Sequence, residues 1–189
     1  MLGLGNGLTK SGLAKLNLIT YSSDFSSNVD GWLKYSVDQG DMTITANQNP
    51  NSDGGPDESG WLKAVWDSNQ TSASGIRSAN LHSNGILPTD TFSLSYRIFM
   101  KNDDGQFIGS DDISFRTTIT DDTASHQTQH TDIAGDEVVS ISIAQTTIGG
   151  GSNNDTNVYV NIQWSQSTGD YAQAGAVIYL KDFTITHIR

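Results

Sequence analysis

The chain has 189 residues, no cysteine, and 21 acidic against 10 basic side chains, for a formal charge of −11 at neutral pH. That length suits one domain that can bury a core without disulfides or thiolate-bound metal. The charge opposes a nucleic-acid partner, which needs clustered Lys or Arg, and no apolar run approaches the roughly 20 residues that span a bilayer.

Gly, Ser, Thr, Asn and Asp are abundant while Lys and Glu are scarce, which favours short strands and turns over helices. Residues 1–18 scatter Leu2, Leu4, Leu8 and Leu13 among glycines. Such a stretch does not sustain a helix and lacks the continuous apolar region of a secretory signal. It is expected to form an extended N-terminal arm whose leucines fill pockets on another subunit, ahead of a β body over 19–189. Strands are expected over 16–25, 32–37 and 42–46, the last from strict alternation through Met42, Ile44 and Ala46. A long polar loop with Asn-Pro and Asp53-Gly54-Gly55-Pro56 follows over 47–60, of the kind that carries function or mobility. Further strands are expected at 61–66 and 76–81. The alternation of Phe92, Leu94, Tyr96, Ile98 and Met100 marks a core strand over 91–100. Residues 111–120, 138–147, 157–164 and 176–188 complete a set that fits an all-β, two-sheet jelly-roll sandwich.

The last of these strands, Val177 to Thr186, is rich in β-branched and aromatic residues and is broken by the charged pair Lys181-Asp182. Read with Asp24-Phe25-Ser26 and Gly31-Trp32, it resembles the calcium-containing jelly-roll carbohydrate-binding modules. That family opens with Phe and an acidic residue, then Gly-Trp, and closes on an aliphatic strand ending Asp-Asp-aliphatic. The resemblance runs from Phe25 to Ile185. It implies that the two segments lie side by side and that Trp32 is structural. It also implies a structural calcium ion, with Asp24, Asp30 and Asp182 as the residues to test. Ser26 and Lys181 stand where the family pattern has acidic residues.

Few other patterns carry chemistry. His126 and His130 have the spacing that puts two imidazoles on one helix face, but no helix is expected there and the general-base Glu of a zinc protease is missing. A polar hairpin tip is the expectation. Paired acids at Asp57-Glu58, Asp103-Asp104, Asp111-Asp112, Asp121-Asp122 and Asp136-Glu137 read as solvated turns rather than a glycosidase pair, and nucleophilic catalysis has no candidate. Trp32, Trp61, Trp66 and Trp164, with Tyr35 and Tyr171, are candidates for a sugar-stacking platform, against the alternative that tryptophans fill the core. Trp61 and Trp66 have opposite parity on one strand, so one of them should face outward or lie at an edge. Trp61, Trp66 and Tyr171 are therefore the expected glycan or partner contacts.

The Leu-Gly opening resembles the N-termini of virion proteins of tailed phages, in which a short leader precedes varied β-rich domains. That resemblance implies a non-enzymatic capsid decoration or head-fibre subunit on the exterior of the particle, homo-oligomeric and docked to virion proteins through its arm. The alternative is a carbohydrate-binding module for polysaccharide or host-surface glycan.

Overall fold

The computed structural model describes residues 18–36, 42–70, 74–101, 115–130, 135–150, 155–164 and 172–188. The described strands are β1 (Leu18–Ser23), β2 (Leu33–Ser36), β3 (Met42–Gln48), β4 (Trp61–Trp66), β5 (Ser74–Arg77), β6 (Thr91–Lys101), β7 (Phe115–Thr120), β8 (Ser125–His130), β9 (Val138–Thr147), β10 (Tyr159–Trp164) and β11 (Val177–Ile188). They form two antiparallel sheets packed as a jelly-roll sandwich. One has the order β3-β4-β11-β6-β9 with β1 added against β11, and the other is β2-β5-β10-β7-β8.

β11 is the hub. One of its edges pairs with β6 along most of its length, while the other takes β4 over Val177 to Leu180 and β1 over Phe183 to Ile188. The changeover falls at a bulge, where the β6 register shifts between Lys181 and Thr184 and Asp182 adopts φ 53°. An extra residue there resets the alternation. Leu180 and Phe183 both stay in the core, while Lys181 and Asp182 both make ion pairs on the outer face. Ser23 lies opposite Phe183, so the early and late segments are neighbours as the family resemblance implies.

Period-2 alternation decides what is buried. Phe92, Leu94, Tyr96, Ile98 and Met100 of β6 are all in the main core, as are Val160, Ile162 and Trp164 of β10 and Phe115 and Ile119 of β7. Trp32 packs edge-on against Phe183 at 5.0 Å and Phe25 at 5.8 Å. Burying each such ring contributes about 1.5–3 kcal/mol. One ionisable pair is sealed inside: His187 Nδ1 lies 2.6 Å from Asp90 Oδ2, which also accepts the Leu87 N–H at 2.8 Å.

Three expectations need correction. The strand expected over 76–81 is β5, ending at Arg77, followed by a short 3-10 turn at Leu81–Asn84; Asn80 caps the turn and left-handed Gly85 closes it. The polar stretch around His126 is the strand β8 rather than a hairpin tip, because an edge strand needs no apolar alternation to hold its place. The 47–60 loop is a pinned cover. Asn49 caps a 3-10 turn at Pro50–Asp53, and Asp53 accepts from Lys63 Nζ at 2.7 Å and from the Tyr179 hydroxyl. Gly55 sits where a Cβ would come within 2.8 Å of the Phe99 ring. On the outer face of the larger sheet, Trp61, Phe99, Val177 and Tyr179 form a second apolar cluster.

Candidate functional site

The outward positions of the five-stranded sheet line up in ranks across the strands. One rank runs Tyr35, Gly75, Gln163, Arg116, Gln129, and the next runs Leu33, Arg77, Asn161, Thr118, Gln127. A third places Tyr159, Thr120 and Ser125 side by side. These are the alternates of the core residues, and nearly all carry hydroxyl, amide or guanidinium groups. Among them lies a depression of about 170 Å³ whose lining includes Tyr35, Arg77, Arg116, Thr118, Asn161 and Gln163.

Polar groups on this face are buried yet held in place. Asn161 is 2% exposed and Gln163 3%, which means they are shielded by neighbours on their own side of the sheet. Arg77 Nε donates to Asn161 Oδ1 at 2.8 Å, and Thr118 Oγ1 donates to Gln163 Oε1 at 3.1 Å. The Arg77 guanidinium lies between two rings, 4.6 Å from the centroid of Tyr35 and 4.4 Å from that of Tyr159. Its Nη2 donates to Asp122 Oδ1 at 3.2 Å. Asp122 is set at the rim by the β7–β8 turn, in which Asp121 Oδ1 accepts the backbone N–H of Thr123 at 2.9 Å and of Ala124 at 2.6 Å. Burial pushes the Asp121 carboxyl up, but these hydrogen bonds outweigh it and hold the group below the usual carboxylate range. Gly75 is required where β5 crosses β10: an added Cβ would stand 1.9 Å from the Ile162 carbonyl oxygen.

The residues expected from sequence to form sites are distributed differently. Trp66 is buried in the main core and donates its Nε1–H to Ser74 Oγ at 2.7 Å. Trp61 does lie on the opposite face, as its parity requires, but it is also 0% exposed. The guanidinium of Arg97 covers its ring at 5.0 Å. Neither ring is open to a ligand, and Trp32 and Trp164 are likewise buried. Among the described residues, Tyr35 is the one expected stacking residue that lies in the groove. Tyr171 and the leucines Leu2, Leu4, Leu8 and Leu13 lie outside the described residues. His126 and His130 share strand β8 without gathering a metal set; His130 Nε2 pairs with Thr117 Oγ1 at 2.8 Å and its ring lies 4.6 Å from Phe115.

Asp24, Asp30 and Asp182 do not converge into an ion site, and no group of three or more acidic or imidazole side chains among the described residues is suited to a metal. Asp24 Oδ1 accepts from Ser26 N and Oγ, both at 2.9 Å, and these bonds lower its pKa. Asp182 pairs with Arg97 at 3.2 Å. Asp30 sits in a left-handed turn, φ 48°. Between the segments stands a cation of the chain's own. Lys181 Nζ lies 2.7 Å from Glu58 Oε1 and donates to the Ser59 carbonyl. Its charge also acts on Asp24, and a fixed ammonium there opposes a second cation, so among the described residues Asp24, Asp30 and Asp182 do not form a set suited to calcium.

Tyr159, Arg77, Arg116, Asn161 and Gln163 were missed in sequence. The available signal was that the non-core alternates of β7 and β10 are uniformly polar and hydrogen-bonding.

No protein-family model matches the chain, and no curated protein matches it. Solved structures do. The CBM22-1-GH10 modules of Clostridium thermocellum xylanase 10B, complexed with xylohexaose, superpose with a TM-score of 0.53 at 16% identity, over 88% of this chain and 28% of that one. The CBM22-1 xylan-binding domain of Paenibacillus barcinonensis Xyn10C gives 0.51 at 13% identity, over 89% and 94%. A CBM4 structure gives 0.51 at 15%, over 86% and 99%. At these identities the likeness shows the fold, a jelly roll shared with carbohydrate-binding modules.

Proposed function

We propose that the chain is a non-catalytic carbohydrate-binding module whose ligand lies in the polar groove of the five-stranded sheet. The observation that carries this reading is the groove itself: two half-buried tyrosines beside a depression walled by hydroxyl and amide groups and two guanidiniums, of which Arg77 is held in position by both tyrosines, Asn161 and Asp122. Sugars present apolar C–H faces and a ring of hydroxyls. The first pack on aromatic surfaces, and the second exchange water for fixed donors and acceptors, each such bond contributing about 0.5–1.5 kcal/mol net. Preorganisation matters because side chains fixed before binding lose little entropy when the ligand arrives. Catalysis is not favoured at this groove, since Asp121 is engaged in its turn and Asp122 in the ion pair with Arg77. The similar folds that bind xylan or xylohexaose make β-linked plant polysaccharides the first ligands to try. The virion role expected for the arm rests on leucines outside the described residues and draws no support from the groove.

Affinity electrophoresis in gels containing soluble xylan or cellulose derivatives tests the reading. Retardation of the wild-type chain, weakened at least about tenfold by Tyr35→Ala or Gln163→Ala and untouched by Thr186→Ala on the other sheet, is the expected result. Equal retardation of all variants would place the ligand elsewhere.

A further inference from the structure

Among the described residues, Arg116 is a strong donor in the groove whose hydrogen-bonding capacity is largely unspent. Among the described residues its only hydrogen bond runs from Nη1 to Gln127 Oε1 at a long 3.4 Å, and Nε is buried with no acceptor. Arg77, by contrast, is firmly engaged: its Nε–H goes to Asn161, an Nη2–H goes to Asp122, and the rings of Tyr35 and Tyr159 lie against it. The one carboxylate in the described lining, Asp122, is already paired with Arg77, so Arg116 leaves that described lining with a net positive centre in a chain of charge −11. A guanidinium seeks a planar anion that can accept two parallel hydrogen bonds. Its rank neighbours, Gln163 on β10 and Gln129 on β8, supply amides for the hydroxyls flanking such a group.

We infer that the ligand is an acidic polysaccharide, one carrying uronic-acid residues, and that Arg116 receives the sugar carboxylate. This rests on the reading of the groove as a glycan site and narrows it to a ligand class. The negative charge elsewhere on the chain then adds selectivity, because a polyanion gains nothing from nonspecific contact and is held only where its carboxylate meets the groove.

The test is titration calorimetry of the full chain with a glucuronic-acid-substituted xylan and with the same polymer after its carboxyl groups are reduced to alcohols. The acidic polymer is expected to bind at least about tenfold more tightly. Arg116→Gln should abolish that difference, bringing the affinity for the acidic polymer down to that for the reduced one. Arg116→Lys, which keeps the charge and the aliphatic stem but not the fork, should retain only part of it and serves if the glutamine variant does not fold. Equal affinity for both polymers in the wild type overturns the acidic-ligand inference and leaves the glycan reading standing. Binding to neither polymer, nor to cellulose or unsubstituted xylan in a parallel arm, overturns both.

Discussion

Asp53 shows how single residues hold the outer face of the larger sheet. Burial raises its carboxyl, but the hydrogen bonds from Lys63 and Tyr179, with the charges of Lys63 and Lys101, outweigh burial and leave it below the usual carboxylate range. A depressed acid stabilises the fold above its unfolded pKa and ceases to do so as pH falls through its folded pKa. Thermal midpoints should therefore decline below about pH 4, the ordinary carboxylate range. Asp53→Asn should lower stability at pH 7 by about 2 kcal/mol and flatten that acid limb; an unchanged limb would mean that other carboxylates carry it. The sealed pair of His187 and Asp90 makes a second case. Asp90→Ala removes both the imidazole contact and the acceptor for Leu87 N–H, and should cost about 3 kcal/mol by denaturant titration. Asp90→Asn, which keeps an oxygen there, should cost less.

Among elements, β11 and its bulge decide most. The bulge turns Lys181 and Asp182 outward together, where they join Arg97 and Glu58 in a chain of ion pairs. The Lys181 and Arg97 charges pull the Glu58 carboxyl down, the Lys181 hydrogen bond foremost. If the lysine ammonium serves as the cation between the early and late segments, neither chelator nor added calcium should move the melting temperature of the wild type. Lys181→Asp, restoring the Asp-Asp pattern, should lower it and make it respond to calcium. A wild-type shift of several degrees with calcium would refute this. In the other sheet β5 depends on Gly75, and Gly75→Ala should separate β5 from β10 at the Ile162 carbonyl. Loss of the cooperative unfolding transition, or glycan binding lost ahead of stability, are the readouts.

For the molecule as a whole, the layered architecture was legible because buried strands repeat every second residue, as in β6 and β10; the charged pair interrupting β11 was visible too, but not the bulge that it marks. The groove was not. Arg77, Asn161 and the hairpin pair Thr118 and Gln127 come from parts of the chain separated by long stretches, and only the sheet order places them in one rank. Trp61 misled for a related reason: parity required one of Trp61 and Trp66 to face outward, and Trp61 does, but parity cannot reveal that Arg97, Lys181 and the apolar cluster cover that face. If the sandwich alone binds glycan, a chain lacking residues 1–17 should retain its full affinity; a loss beyond about twofold would bring those residues into the site. Leu18 pairs directly with Ile188, so the two ends of the described fold are about 5 Å apart, on the sheet opposite the groove. In a chain without residues 1–17, a short linker from Ile188 to Leu18 would therefore close the fold into a ring that can be opened at another turn. Circular permutants of this kind should present the same sugar-facing surface while exporting their fusion partners from a different side.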